Sequence, residues 1–550
     1  MTAETRRTIL RHAVAIDLMI MAVGAAWLVP GSPAVLFGSF LAAVALSAWL
    51  GGDEVGLAAT AYAVVALSVF FGRAVDVGSL TAFAATGAVV STIARAARAI
   101  QRREELPPRA EARPFAAAIP FAIGLPLLVV VLYTDLSDIV MENLPVPSLL
   151  QPLIMLLAFV VWKYRHTLQP SSAAAHPIVA FMVLYALVVF STSIWAKDTY
   201  LADKRFSETL KAVFVAVLAA SLAASWTSLR RAFIALIASA ALLSSLSVLQ
   251  IATGRFGDAF FGLVELKSGT IYGDVSMPRA AGPPVSDPNF YARILLMTIP
   301  LSVSMAFMEK RPRRRFAYAA AAAITTAATL VTYSRGAMLT LAVMAMLLAL
   351  TLRVKLRHIA LAGVAGIIVL LMLPSSITRR LGTIEALLPD HNTGAAYDSS
   401  LAQRELLTLS GVAMFEAHPW FGVGAGHYAW YFPQYSNLVG SSWIDYVETG
   451  INRYPHSFYV EVACETGLAG LISILAAVLA AFLTLYRTHA QLRHDGDREH
   501  ATWASALAVA IAGYLIASVF LHETHLRYIA LYFGFVIATA RLARKQVSVP

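Results

Sequence analysis

Arg230-Arg231-Ala232-Phe233-Ile234-Ala235-Leu236-Ile237-Ala238-Ser239-Ala240-Ala241-Leu242-Leu243-Ser244-Ser245-Leu246-Ser247-Val248-Leu249-Gln250-Ile251-Ala252 is a pair of arginines followed by a long run with no charge. A helix needs about 20 such residues to cross the hydrocarbon layer of a bilayer. The pattern recurs along the chain. Apolar blocks fall at 11–29, 34–50, 55–72, 78–97, 115–134, 148–163, 177–195, 208–225, 231–252, 288–308, 316–333, 337–352, 358–373, 457–485, 502–520 and 526–541. Some are short or Ala-rich, so the expectation is an all-α polytopic membrane protein with about 14–16 transmembrane helices. No cleavable signal is evident, and the segment 9–30 reads as the first span.

Composition agrees. Of the 550 residues 59% are hydrophobic and 13% charged, with a mean hydropathy of +0.69. Soluble domains carry roughly 25% charged residues, so lipid must be the solvent for most of this chain. The net charge of +10 does not point to nucleic acid, because the basic residues are dispersed into short loops. Arg95 to Arg113 holds six arginines, Arg230 and Arg231 precede the quoted span, and Lys310 to Arg315 holds five basic residues. Alternate loops are therefore basic, as topology control by positive-inside charge produces, with both termini cytoplasmic. The single Cys464 cannot form an intramolecular disulfide.

Two segments on the opposite side stand out by length, Gly254 to Ser286 and about Pro374 to Pro455. In the second, Ser400 to Ala417 has the periodicity of an amphipathic helix. Trp420, Trp430, Tyr431, Phe432 and Trp443 follow, as a folded lid would present them at headgroup level. The expected division is 1–114, N-terminal spans of unassigned role; 115–373, a transmembrane core; 374–455, the lid; and 456–550, C-terminal spans. No inverted repeat is visible.

Residues able to carry chemistry gather at the outer ends of these spans. In Tyr454-Pro455-His456-Ser457 the proline favours a helix start, placing His456 at the mouth of a span, where a neutral imidazole can take a proton. Glu465 follows about two and a half turns later, too far along the helix to touch His456. Tyr333-Ser334-Arg335-Gly336-Ala337 puts Arg335 between two apolar spans, where an arginine needs a partner. Arg404 lies on the amphipathic lid helix. Asp287-Pro288-Asn289-Phe290 is a helix-start signature, with Arg293 one turn inside. The glycines of His418-Pro419-Trp420-Phe421-Gly422-Val423-Gly424-Ala425-Gly426-His427-Tyr428 read as turn chemistry rather than a phosphate cradle. His522 and His525 are expected at the surface of a loop.

These pieces, in this order, resemble the O-antigen ligase superfamily, which includes Wzy-type polysaccharide polymerases and bacterial O-linked oligosaccharyltransferases. The resemblance covers roughly residues 175 to 540. It implies a GT-C-like glycosyltransferase, free of metal and cofactor, in the bacterial inner membrane with its active site on the periplasmic face. The implied donor is a glycan on undecaprenyl diphosphate, and the implied acceptor is lipid A core or another glycan. Residue by residue, the family's essential histidine matches His456, and its diphosphate-binding arginines match Arg335 and Arg404. Asp287, Asn289 and Glu465 take supporting places. The motifs do not separate ligase from polymerase, because donor and leaving group are the same and only the acceptor differs. A protein acceptor is a third reading. Taken together, the pieces resemble ligase members most. A flippase is disfavoured, because transporters place ionisable groups near the bilayer midplane, whereas these map to one surface.

Overall fold

A computed structural model of the chain describes residues 118–138, 150–168, 170–254, 259–272, 275–283, 286–355, 399–439, 453–522 and 526–547. The expected spans at 11–29, 34–50, 55–72, 78–97 and 358–373 lie outside the described residues, as do Trp443 and His525. The chain divides into two compact units, 1–167 and 168–550. In the first, α1 (Ala118–Tyr133) and α2 (Leu150–Lys163) pack together. The amide of Leu150 donates to Ser137 Oγ at 3.1 Å and so starts α2.

The second unit is a helical bundle. Its elements are α3 (Pro177–Ser191), α4 (Thr199–Leu222) and α5 (Trp226–Ala252), then a hairpin of β1 (Glu265–Tyr272) and β2 (Val275–Ala281). After it come α6 (Pro288–Met308), α7 (Pro312–Leu330), α8 (Arg335–Thr351), α9 (Ser399–Ala417), α10 (Tyr428–Leu438), α11 (Phe458–His494), α12 (Arg498–Ala517) and α13 (Arg527–Val547). Side-chain oxygens start several helices as the sequence suggests: Ser225 accepts from the Ser228 amide, and Asp497 from that of His500. Such caps satisfy amides that have no partner within the helix.

Among the described residues, five helical segments are long and apolar enough to cross a membrane: α3 with its extension to Ile194, α5, α6, α11 and α12. They differ in what they face. Only 39% of the spanning windows of α3 and α11 is buried, against 83% for α6. Leu184, Leu187 and Phe190 on α3, and Ile472, Leu479 and Leu483 on α11, are exposed. In lipid those surfaces are solvated. The central helix α6 is covered by protein instead, with Ala292, Leu296 and Ile299 against Ala337, Met344 and Leu348 of α8 and Val509 and Ala517 of α12. The fold is thus an all-α membrane bundle with one small hairpin added.

Two elements depart from the sequence reading. The block expected at 208–225 begins earlier, because Asp198 caps a helix that already includes Asp203, Lys204 and Arg205. The segment 254–286, expected only as an outer connection, contains the antiparallel hairpin, with Glu265 opposite Ala281 and Tyr272 opposite Val275. The amphipathic lid helix expected at Ser400–Ala417 is α9. It packs on α10 around Leu406, Leu407, Met414, Tyr428 and Phe432. Phe432, expected at the headgroup level, is therefore interior to the lid, while Trp420 and Trp430 are exposed.

Candidate functional site

Three motif segments turn sharply before the helices they start. Ser286 precedes the α6 cap, Tyr333 precedes Ser334 and Arg335 of α8, and His456 precedes α11. All three have positive φ, at 52°, 52° and 48°. That region costs a non-glycine residue about 1–3 kcal/mol and persists only where surrounding structure dictates it. Three of the six such residues among those described therefore stand at one end of the bundle.

Each turn presents a charged or polar group to the same place. Asp287 Oδ1 accepts from the amides of Asn289 and Phe290, at 2.7 and 3.2 Å, and so fixes the α6 start. Strand β2 is tied to the Tyr333 turn by the Ala280 amide, which donates to Val331 O at 3.0 Å. Its Arg279 donates from Nε to Thr332 O at 2.9 Å and from Nη2 to Asn289 Oδ1 at 3.2 Å. A cavity lined by Asn289, Arg293, Ser334, Gly336, Arg404 and Phe520 opens between α6, α8 and the lid helix. Arg335 is buried at 7% exposure. Thr408 of α9 donates to Pro455 O at 2.9 Å, which holds the lid helix against the His456 turn.

The electrostatics show how close these groups stand. Burial pushes the Arg279 guanidinium down to about 10; Asp287 opposes that, while Arg404 and Arg335 add to it. It remains a cation at neutral pH. Burial likewise takes His456 down to about 4, with Arg404 lowering it further and Asp287 working against both. His456 is thus neutral at physiological pH, and its buried Nδ1 has no hydrogen-bond partner among the described residues. Asp287 is the carboxylate that acts on both Arg279 and His456, and its Oδ1 is already engaged as a helix cap. The structure therefore gathers Asp287, Asn289, Arg335, Arg404 and His456 at one end of the bundle.

Glu465 stands elsewhere. Its carboxylate accepts from the amides of Gly426 and Tyr428, at 2.8 and 3.2 Å, and so anchors the start of α10. The helix carrying it breaks at Gly467, with φ 66° and ψ −164°. There the glycine-rich loop lies along the broken backbone: Val423 N donates to Cys464 O, Gly424 N to Glu465 O and Leu468 N to Pro419 O, at 2.8–3.0 Å. A Cβ on Gly422 or Gly467 would strike the opposing backbone. These glycines make a turn and a close backbone approach. Buried His427 reinforces the loop, its Nε2 accepting from the Asp198 amide at 3.0 Å. Arg205 of α4 pairs with Glu461 at 3.0 Å on the same side.

Sequence reasoning did not single out Arg279, and it expected His522 at a loop surface. His522 is instead 6% exposed. Its ring stacks on Tyr454 at 4.2 Å and lies edge-on to Phe290 and His456, at 4.9 and 5.5 Å. A hydropathy pattern shows a polar residue between two spans and cannot reveal which rings will cover it. Arg279 sits in a hairpin whose partner is the α8 turn, more than 50 residues along the chain. Among the described residues no group of three His, Cys, Asp or Glu side chains is arranged to hold a metal.

Residues 320–475 match the family model for O-antigen ligase, Wzy_C. That segment is similar to O-antigen ligases, and the match supports the O-antigen ligase superfamily over that part of the chain. It runs from α7 into α11 and contains Arg335, Arg404, His456 and Glu465; Arg279, Asp287, Asn289 and Arg293 precede it, and His522 follows. No curated protein matches the chain. With its apolar helices, the chain is a multi-pass membrane protein of ligase- or polymerase-like type.

Proposed function

We propose that this protein transfers a saccharide from undecaprenyl diphosphate to lipid A core, or to another glycan acceptor, at the periplasmic face of the bacterial inner membrane. The observation that carries the reading is one of charge. Arg404 and Arg335 both act on the buried Arg279 with Asp287 opposing them, Arg404 and Asp287 act on a neutral His456, and Arg293 and Arg404 line one cavity. Cations held so close repel one another, and an anion binding among them relieves that repulsion. A lipid diphosphate carries such an anion, and its polyprenyl chain can remain in the bilayer.

The chemistry follows from those groups. The acceptor hydroxyl oxygen attacks the anomeric carbon from the face opposite the diphosphate. The new glycosidic bond forms as the old carbon–oxygen bond breaks, and the bonding pair leaves on the diphosphate oxygen. The anomeric configuration inverts. A hydroxyl is a poor nucleophile until its proton is removed, and His456 takes that proton. With Nδ1 sealed, Nε2 is the nitrogen left to meet the acceptor. Charge grows on the leaving diphosphate as the bond breaks, and Arg335 and Arg404 stabilise it by forked, charge-assisted hydrogen bonds. The diphosphate is already an activated leaving group, so the reaction as written requires no nucleotide, metal or cofactor.

The test is analysis of the lipid-linked pool in a strain lacking the protein. A ligase null accumulates long, polymerised glycan on undecaprenyl diphosphate with the acceptor bare. A pool of single repeat units overturns the ligase reading in favour of a Wzy-type polymerase. Bare acceptor lipid is not expected if the acceptor is a protein.

A further inference from the structure

The turn between α12 and α13 lies beyond the segment that matches the family model, yet the three motif segments that start α6, α8 and α11 rest on it. The Phe458 amide, at the start of α11, donates to Ser518 O at 3.0 Å. Arg293 donates from Nη1 to Ser518 Oγ at 3.2 Å and to His522 O at 3.3 Å. A Cβ on Gly336 would stand 2.9 Å from the Phe520 ring, so the Ser-Arg-Gly-Ala motif sits directly on that side chain. Phe290, of the Asp-Pro-Asn-Phe motif, meets the His522 ring edge-on. Tyr454 lies parallel to that ring, 7° from coplanar. His456 meets it at 80°.

A general base usually has its second ring nitrogen oriented by a hydrogen bond. His456 lacks that device among the described residues, since its Nδ1 is sealed and without a hydrogen-bond partner. Its backbone is also held in the left-handed region. Among the described residues packing is the means by which the ring is aimed, and His522 is the aromatic group placed to do it. We propose that His522 is a positioning residue: clamped between Tyr454 and Phe290, its ring fixes the direction of the His456 imidazole and excludes water from its sealed side. This rests on the reading of His456 as the base. Arg404 from α9 and Asp287 from the α6 cap also act on His456. Arg293 from α6, Arg205 from α4, Arg404 and His456 act on His522. His522 is held well below the ordinary histidine value, first by its burial.

The experiment compares purified wild type, His522→Ala, His522→Phe and His456→Ala in a transfer assay, across pH. Removing the ring is expected to lower kcat about tenfold to a hundredfold with donor KM nearly unchanged, as loss of aim does. Water reaching His456 relieves the burial that depresses it, so the acid limb of kcat/KM moves to higher pH. His522→Phe keeps the ring and recovers most of the rate. Wild-type kcat with an unmoved limb in His522→Ala overturns the proposal. So does a raised KM at constant kcat, or a His522→Phe variant as slow as His522→Ala. If His522→Ala does not fold, Tyr454→Leu loosens the same clamp, and an unchanged kcat and limb there are equally decisive. An active His456→Ala removes the base itself, whereas an inactive one beside a normal His522→Ala removes only the positioning role.

Discussion

The two polar ends of the bundle use arginine in opposite ways. At one end Arg230 of α5 bridges Glu309, at the close of α6, and Glu499, at the start of α12, at 2.9 and 3.4 Å. His500 meets Asp497 at 2.6 Å, and its ring stacks on Trp226 at 3.8 Å. Arg230 there meets opposite charges on two neighbouring helices. At the other end Arg335 and Arg404 both bear on the buried Arg279 with Asp287 opposing them, and an uncharged His456 stands beside Arg404 and Asp287. Matched charges tie helices together whether or not a ligand is present. Like charges held close repel, so an anion binding among them gains energy that becomes available for chemistry.

The largest effect expected from breaking the second end is at its neutral member. His456→Ala should lower transfer about 10²–10⁴-fold, the usual worth of a general base, while the protein still inserts at normal abundance. Wild-type transfer by the purified variant would end the base assignment. Arg335→Lys and Arg404→Lys come next. Lysine keeps the charge but loses the planar fork, and a loss of about 10–10³-fold in kcat is expected for each. If both variants turn over normally, these arginines are topological anchors.

A pH titration sharpens the contrast further. A base works only when unprotonated, and burial with Arg404 nearby takes His456 down to about 4 in the free protein. kcat/KM should therefore hold level as pH falls and drop only near that value. A bound diphosphate raises the imidazole pKa, because negative charge favours the protonated ring, so the acid limb of kcat should lie at higher pH. Coincident limbs near the ordinary histidine value of about 6.5 would contradict this.

The matched end should respond in the reverse manner. Arg230→Gln leaves Glu309, with 8% of its side chain exposed, short of its nearest cation. A loss of about 1–3 kcal/mol in stability is expected, seen as a lower melting temperature in detergent, with kcat unchanged. A variant equally stable but catalytically slow would erase the distinction between the ends. The smallest expected effect is that of EDTA, which should leave transfer intact. Reproducible loss, rescued by a divalent cation, would place a metal in the reaction.

How legible each part was depends on whether its cause was local. Composition and block length alone announced a lipid-solvated bundle, because a helix satisfies its own backbone in the bilayer and needs only apolar side chains outside. The Asp287-Pro288 start of α6 and the lid helix α9 were readable for the same reason: caps and amphipathic periodicity involve neighbours within a turn or two. Periodicity could not show that α6, rather than α3 or α11, is the helix enclosed by protein. Lipid and a protein interior are both apolar, and only packing tells them apart. The hairpin that delivers Arg279 is placed by its bonds to the turn before Arg335, from the Ala280 amide to Val331 O and from Arg279 to Thr332 O. The burial of His522 depends on rings from Phe290, Tyr454 and His456. The sequence determined that Asp287, Asn289, Arg335, Arg404 and His456 could act and which helices they start or ride on. Tertiary structure alone decided which meet and added Arg279 and His522, since charges and rings act only over a few ångströms, between residues as far apart in the chain as Arg293 and His522.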